Sequence, residues 1–213
     1  MDDPVDSLVE LEANLRDIER ANRRFGGIEP LARIVEATGA TEILDVGCGA
    51  ADIPRSLIES ARRQGRTLAI TCLDHSQQML AIAQARNGGV RFVHAEGEAL
   101  PFEDGSFDIA MCSLTLHHIE AKDAIGFLRE LRRVSRMTPI VCDLRRTRLA
   151  YAMTWTYANL FTRNRLTRHD APVSVLRAYT PDEALGLARE AGWRAPRARV
   201  EPWFRMTLVD DAR

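Results

Sequence analysis

The chain has 213 residues, of which 46% are hydrophobic and 28% are charged. This length favours one domain with a sizeable core, and this composition excludes the disordered and fibrous classes of protein. The net charge of −1 excludes a globally basic nucleic-acid binder. The charge is unevenly distributed, because residues 144–213 carry 13 arginines against 7 acidic residues, whereas residues 1–143 carry 16 basic and 23 acidic residues.

The amino terminus and the cysteines indicate a cytoplasmic protein. Residues 1–4 are acidic and do not resemble the start of a signal peptide, and no apolar run is long enough to span a membrane. The four cysteines lie in or beside apolar runs and have no Cys-x-x-Cys spacing: Cys48, Cys72, Cys112 and Cys142. We therefore expect buried thiols in a reducing compartment, without a metal site.

Hydrophobic periodicity predicts an alternation of helices and strands along the chain. Leu8, Leu11 and Leu15 are spaced as in an amphipathic helix over 6–24, which Gly26-Gly27 ends. The other predicted helices lie near 29–38, 52–64, 76–86, 121–135 and 181–191. The predicted strands lie near 42–46, 68–73, 90–94, 107–113 and 139–143, with one or two more near 197–208.

This alternation predicts an α/β, Rossmann-like fold, in which helices cover both faces of a mostly parallel sheet. Residues 144–178 interrupt it with a long segment rich in arginine and aromatic residues. Connections of this length are usually lids or binding elements, so we expect a partly helical lid over the ligand edge of the sheet. The expected organisation is a helical cap (1–40), a cofactor-binding core (41–143), the lid (144–178), and a helix with a hairpin (179–213).

The first predicted strand ends in a nucleotide-type glycine turn, Asp45-Val46-Gly47-Cys48-Gly49-Ala50-Ala51-Asp52. Ligands of open parallel sheets bind beyond such strand ends. A dinucleotide fingerprint requires Gly or Ala where this chain has Asp52, and the carboxylates of Asp45 and Asp52 would repel a pyrophosphate. They favour a cationic ligand such as S-adenosylmethionine. For Asp52, a plain helix N-cap is an equally good interpretation.

The next strand ends also carry polar residues. Asp74 follows the glycine turn at a spacing typical of a carboxylate that binds a ribose diol. Glu96 lies where a carboxylate accepts from an adenine amino group, and Gly97 leaves room for the ring. The fourth strand runs into His117 and His118, either of which is a candidate general base. The alternative is a structural His117 and a solvent-facing His118.

Four motifs occur in order: Asp45-Val46-Gly47-Cys48-Gly49; Asp74; Leu100-Pro101-Phe102 with Gly105-Ser106-Phe107-Asp108; and Leu116-His117-His118. Because of these four motifs, residues 42–143 resemble the class I S-adenosylmethionine-dependent methyltransferases. Within that family, the resemblance is strongest to the small-molecule branch, which includes quinone-biosynthesis enzymes. A weaker resemblance is to methyltransferases of bacterial aromatic polyketides. The resemblance implies a seven-stranded sheet with an antiparallel last hairpin. The chain departs from the family at Ala51, where a third glycine is frequent, and at Glu96, where Asp is commoner.

The resemblance also implies the residues that contact S-adenosylmethionine, or its product S-adenosylhomocysteine. Gly47 and Gly49 would line the methionine moiety, Asp74 the ribose, and Glu96 with Gly97 the adenine. The full set of expected cofactor contacts is Asp45, Gly47, Cys48, Gly49, Asp74, His75, Met79, Glu96, Gly97, Glu98 and Ser113. No metal is expected in this site.

The acceptor is expected to contact the lid and the end of the N-terminal helix. Arginine and histidine side chains suit an acidic acceptor or a phenolate. Tyr151 and Trp155, spaced i, i+4, either stack on the acceptor or pack together. We expect no pairing between His169 and the adjacent Asp170, in a segment that a solvated loop also explains. The expected acceptor contacts are Phe25, Arg145, Arg146, Tyr151, Trp155 and His169.

These patterns predict a methyltransferase that acts on a small aromatic acceptor (phenolic, quinone-like or polyketide-derived) at oxygen or carbon. The basic carboxyl-terminal third leaves an RNA or protein methyltransferase as an alternative. Against it, the chain has no appended RNA-binding domain and no Asn/Asp-Pro-Pro-aromatic motif after the fourth strand, so a nucleic-acid partner is not expected. A catalytically inactive, cofactor-binding partner subunit is the other alternative. The N-terminal helix either caps the site or forms a homodimer contact.

Overall fold

The computed structural model of the protein describes residues 8–162 and 164–211, so the acidic amino terminus, the first two residues of the predicted helix 6–24, and Arg163 lie outside the described residues. The helices are α1 (Leu8–Arg24), α2 (Glu29–Thr38), α3 (Asp52–Arg63), α4 (Gln77–Arg86), α5 (Ala121–Val134), α6 (Arg148–Phe161), α7 (Arg165–Arg177) and α8 (Pro181–Glu190). The strands are β1 (Glu42–Val46), β2 (Ala69–Asp74), β3 (Arg91–His94), β4 (Phe107–Ser113), β5 (Ser135–Leu144), β6 (Pro196–Glu201) and β7 (Arg205–Asp210).

The strands form one sheet in the order β3-β2-β1-β4-β5-β7-β6. The pairs from β3 to β5 are parallel, and β7 lies antiparallel between β5 and β6. The predicted α/β fold and its antiparallel last hairpin are therefore confirmed. The strand order reverses between β1 and β4, and in such sheets the ligand crevice opens beyond the carboxyl ends of those strands.

Helices cover both faces of the sheet, because successive residues of each strand point to opposite sides. Leu44 belongs to the core that α5 and α8 cover, together with Phe127 and Trp193. The adjacent Ile43 belongs to the core on the other face, with residues of α2, α3 and α4. The four cysteines are buried and free, as expected from their apolar surroundings.

The fifth strand begins earlier than the sequence pattern predicts. A helix over 121–135 and a strand from 139 leave room for a loop, but β5 begins at Ser135, directly after α5. The Ser135 hydroxyl donates to the Leu131 carbonyl (2.7 Å) and accepts from the Ala110 amide (3.0 Å). This one side chain therefore ties the end of α5 to β4, the neighbour of β5, at the point where the chain passes from helix to strand.

Residues 144–178 form two helices, α6 and α7, with a short connection between them. The Thr147 hydroxyl accepts from the Ala150 amide and the Asn164 side chain accepts from the Thr167 amide, so each helix has an N-cap. The solvated-loop interpretation of residues 165–170 is therefore wrong. The Asn14 amide of α1 donates to the Thr167 hydroxyl (3.1 Å), which joins α7 to the N-terminal helix.

Within the described part of the chain, no helix is both long enough and apolar enough to cross a membrane.

Candidate functional site

The glycine turn after β1 joins the ends of three strands. Gly47 and Gly49 have φ of 75° and 53°, which side chains rarely adopt. The amides of Gly47 and Cys48 donate to the Leu73 carbonyl at the end of β2 (2.8 and 3.1 Å). A Cβ on Gly47 would lie 2.5 Å from the Thr115 hydroxyl, just beyond β4. Position 47 therefore requires glycine for two reasons, the backbone conformation and the close packing against Thr115.

Asp52 is the first residue of α3, and Ala51 occupies the N-cap position with a left-handed backbone (φ 56°). The N-cap interpretation of Asp52 is therefore wrong. Its carboxylate accepts from the Asn22 amide of α1 (3.0 Å). Burial nevertheless raises the pKa of Asp52. Asp52 thus links the N-terminal helix to the glycine turn.

Asp45 is buried at the end of β1, and its Oδ1 has no hydrogen-bond partner among the described residues. Burial, with the nearby Asp52 and Asp74 carboxylates, raises the pKa of Asp45 to about 8. Such a carboxyl group strongly favours a neighbouring positive charge, because the charge would offset both causes of the raised pKa. A second buried atom without a partner, the Ser113 hydroxyl, lies at the end of the adjacent strand β4.

Asp74 lies at the end of β2, and two backbone amides hold its carboxylate. Its Oδ2 accepts from the Gly49 amide (2.9 Å) and its Oδ1 from the Ser76 amide (2.9 Å). Each carboxylate oxygen has a second lone pair, so the group can still accept from two hydroxyls. His75 is exposed beside it, and Met79 lies next to the turn, 3.7 Å from where a Cβ on Gly49 would be.

The end of β3 combines exposed carboxylates with a tightly packed glycine. Glu96 and Glu98 are exposed. A Cβ on Gly97 would lie 2.6 Å from the Phe127 ring, so core packing already requires glycine here. The Leu100 side chain is buried in the same core, and the partly buried Phe102 ring packs against this core.

The two histidines after β4 have different surroundings. His117 is buried, and its Nδ1 lies 2.6 Å from Asp143 Oδ1, while its amide donates to Asp143 Oδ2 (3.0 Å). Burial tends to raise the pKa of Asp143, but the charge and hydrogen bond of His117 hold it below its usual value. His118 is exposed, and its ring centre lies 4.1 Å from that of His117. This is the arrangement of the alternative interpretation, a structural His117 beside an exposed His118.

Sequence reasoning did not identify Asp143 as a site residue. The available signal was an acidic residue at the carboxyl end of a parallel strand, which is also the position of Asp74. Arg205 was missed as well. It is buried in β7, donates to the Phe25 carbonyl (3.0 Å) and to the Asn22 side chain (2.8 Å), and so holds the end of α1.

Phe25 packs between α6 and the last hairpin. Its ring centre lies 5.3 Å from that of Tyr157 in α6 and 5.3 Å from that of Trp203, both in edge-on geometry. Tyr151 and Trp155 are 37% and 52% exposed, so neither belongs to the core. They stay predicted acceptor contacts.

Of the two arginines directly after β5, Arg146 has side-chain partners, and so does the histidine in α7. Arg146 donates to the Ala178 carbonyl (3.1 Å) and forms an ion pair with Glu183, which ties this segment to α8. The Nε of Arg145 is buried without a hydrogen-bond partner in the described structure. The expectation that His169 does not pair with Asp170 is wrong, since Nδ1 and Oδ1 are 3.1 Å apart.

In the two described ranges, no three histidine, cysteine, aspartate or glutamate residues are grouped as a metal site requires.

Three comparisons relate the chain to known proteins. Residues 43–138 match the family model described as a methyltransferase domain. Demethylmenaquinone methyltransferase of Shouchella clausii is 31% identical over 107 residues, which cover 48% of this chain and 43% of that protein. The protein of the same name from Thermotoga maritima is 29% identical over 176 residues, which cover 76% of this chain and 73% of that protein.

The chain thus aligns with under half the length of the Shouchella clausii relative and with about three quarters of the Thermotoga maritima one. Among solved structures, a SAM-dependent methyltransferase from Aquifex aeolicus superposes with a TM-score of 0.66 at 17% identity, over 92% of this chain and 96% of that one. The matched residues contain the glycine turn, strands β1 to β4 from residue 43 onwards, and the first four residues of β5. The chain therefore contains a region that matches a methyltransferase domain, within a seven-stranded fold that resembles the Aquifex aeolicus structure.

Proposed function

We propose that the protein transfers a methyl group from S-adenosylmethionine to a small, quinone-like or phenolic acceptor. The observation that carries the cofactor assignment is the buried Asp45 carboxyl, whose Oδ1 has no partner in the described structure, at the centre of three carboxyl groups. Such a site favours a cation and opposes the pyrophosphate of a dinucleotide. The names of the demethylmenaquinone methyltransferase relatives support the acceptor class.

The proposed cofactor contacts follow the strand ends. Asp45 Oδ1 and the Ser113 hydroxyl are both buried and have no hydrogen-bond partner in the described structure. Both could therefore accept hydrogen bonds from the ammonium group of the methionine moiety. Asp74 retains two lone pairs for the ribose hydroxyls. Glu96 is the acceptor proposed for the adenine amino group, and Gly97 lets the backbone pass close to the ring. The remaining expected contacts, Cys48, His75, Met79 and Glu98, stay predictions.

The sulfonium of the cofactor supplies an already activated methyl carbon, so the protein must align the acceptor and, for a phenol or an acidic carbon, remove a proton. We propose His118 for the proton, because it is the exposed member of the pair. His117, held by Asp143 through its ring and its amide, would position the turn that carries His118. Phe25, Arg145, Tyr151, Trp155 and His169 are the proposed acceptor contacts; Arg146 is not among them, because Glu183 already pairs with it.

The buried, reduced thiols fit a cytoplasmic protein, which is the compartment we propose. The RNA or protein methyltransferase and the inactive partner subunit stay alternatives that the experiments below distinguish.

The first test is calorimetric titration with S-adenosylmethionine, S-adenosylhomocysteine and NADH in parallel. We expect the first two to bind and NADH not to bind. Asp74→Ala should weaken cofactor binding by about 1–3 kcal/mol, because it removes a charge-assisted acceptor of ribose hydroxyls. The matched control is Asp104→Ala, which removes an exposed carboxylate outside the site. Binding of NADH, or equal affinities for the two variants, would contradict the cofactor assignment.

The acceptor is tested by turnover of the cofactor-loaded protein with phenols, hydroquinones and, as a comparison, a short RNA. We expect methylation of the aromatic compounds alone. His118→Ala should lower kcat and leave cofactor affinity unchanged. Full activity of that variant would remove His118 as the base, and methylation of RNA alone would overturn the acceptor class.

A further inference from the structure

Helix α6 exposes large apolar side chains along almost its whole length. Its buried residues are only Ala150 and Ala158. The exposed fractions reach 60% at Leu149, 71% at Leu160 and 74% at Phe161. Soluble proteins usually scatter such residues singly, and a contiguous exposed apolar surface indicates an interaction site.

The segment around α6 is strongly positive. Residues 144–169 contain six arginines and no aspartate or glutamate, in a chain with a net charge of −1. Arg148 and Arg165 are exposed, and each is the first residue of its helix. A helix N-terminus disfavours positive charge, so helix stability does not explain these two arginines. A negatively charged partner would explain them.

We propose that α6 docks the protein on an anionic lipid surface. Exposed apolar side chains such as Leu160 and Phe161 would enter the boundary between headgroups and acyl chains, and Trp155, with one polar atom on an apolar ring, suits the headgroup level. Arg148 and Arg165 would contact the anionic headgroups. This inference does not depend on methyl transfer. If the acceptor is a lipid-soluble ring, docking through α6 would place residues 144–178 close to it.

A second copy of the chain is the competing occupant of α6. In a two-fold symmetric contact, the same patch meets itself. The exposed Arg148 and Arg165 would then lie against their own copies, and residues 148–161 contain no carboxylate to offset them. Like-charge juxtaposition opposes that contact, and an anionic bilayer removes the conflict.

The test is co-sedimentation of the full chain with vesicles. We expect binding to phosphatidylcholine vesicles that contain about one third phosphatidylglycerol, and at least ~10-fold weaker binding to pure phosphatidylcholine or at about 0.5 M NaCl. Trp155 fluorescence should shift to shorter wavelength on binding, and Trp155→Phe should remove most of that shift.

Double substitutions test whether vesicle binding depends on α6 rather than on exposed apolar or basic residues in general. Leu149→Ser with Leu160→Ser, and separately Arg148→Glu with Arg165→Glu, should each weaken vesicle binding at least ~10-fold. Met137→Ser with Val200→Ser removes exposed apolar side chains elsewhere, and Arg62→Glu with Arg63→Glu changes exposed arginines of α3; both pairs should bind like the wild type. Cofactor titration of every variant shows that the fold is retained.

Several results would overturn the proposal. They are no binding to anionic vesicles, equal loss of binding in the α3 pair, or a dimer in solution that Leu149→Ser with Leu160→Ser dissociates. The last result would assign α6 to a second copy. Since vesicle binding and cofactor binding are measured separately, failure here leaves the proposed methyl transfer standing, and the reverse also holds.

Discussion

At the scale of single residues, Asp45 should make cofactor binding depend on pH. Its pKa is raised to about 8, so at neutral pH the free protein holds a proton there. A bound cation favours the ionised carboxylate, so binding below pH 8 must release that proton. We expect affinity for S-adenosylmethionine to rise by up to about tenfold per pH unit from about pH 6 to about pH 7.5. Titration across this range measures it, and Asp45→Asn should abolish the slope. A wild-type affinity that does not change with pH would contradict the role of Asp45.

Gly97 gives a second prediction at this scale. Gly97→Ala places a methyl group 2.6 Å from the Phe127 ring and 3.3 Å from Val46. Because Phe127 is fully buried, it cannot move away without repacking, and we expect a loss of about 1–3 kcal/mol in the free energy of unfolding. Gly88→Ala is the control, since nothing lies within 4 Å of its added Cβ. Urea unfolding that gives the same midpoint for both variants would show that Gly97 is not tightly packed.

At the scale of elements, Asn22 joins the N-terminal helix to the core. Its amide donates to Asp52 and its oxygen accepts from the buried Arg205. Asn22→Ala leaves both groups short of a partner, so we expect about 1–3 kcal/mol less stability and faster hydrogen exchange in α1 than in the sheet. Arg23→Ala removes the neighbouring exposed side chain and should change neither. Unchanged exchange in α1 of the Asn22 variant would mean that other contacts hold this helix.

At the scale of the whole molecule, two buried carboxyl groups should set the pH of greatest stability. The folded protein keeps the Asp45 proton that the unfolded chain loses, so the free energy of unfolding falls as pH rises from about 4 towards 8. The pKa of Asp143 is lowered, so its contribution is present above its unfolded pKa and is lost as pH falls through the folded value. We expect greatest stability in mildly acidic buffer. Urea unfolding at about pH 5 and about pH 8 tests this.

The same experiment has an internal control in Asp45→Asn. That variant cannot gain or lose a proton at position 45, so its stability should differ less between the two buffers. Saturating cofactor should raise the free energy of unfolding of the wild type more at about pH 8 than at about pH 5, because the bound cation stabilises the ionised Asp45. Equal pH dependence in wild type and variant would assign the effect to other groups.

The sequence by itself determined the fold class and the edge of the sheet at which the glycine turn and the polar strand ends lie. Apolar strand runs alternating with amphipathic helices leave few ways to bury both faces of a sheet, so the mostly parallel sheet followed from the pattern alone. Its seven strands and antiparallel last hairpin came from the family resemblance, and the strand order only from the structure. Asp45, Gly47 and Asp74 could be placed at this edge because their signal is local: a glycine turn, or an acidic residue at the end of a strand. Their contacts with a cofactor stay predictions.

Only the tertiary structure decided which partners these residues have. His117 meets Asp143 across 26 positions of the chain, and Arg205 meets Asn22 across 183, and no local pattern encodes such contacts. For the same reason the N-cap interpretation of Asp52 failed, since its partner comes from α1. Burial is likewise a property of the packed molecule, so the raised pKa of Asp45 depends on the assembled carboxylates and core.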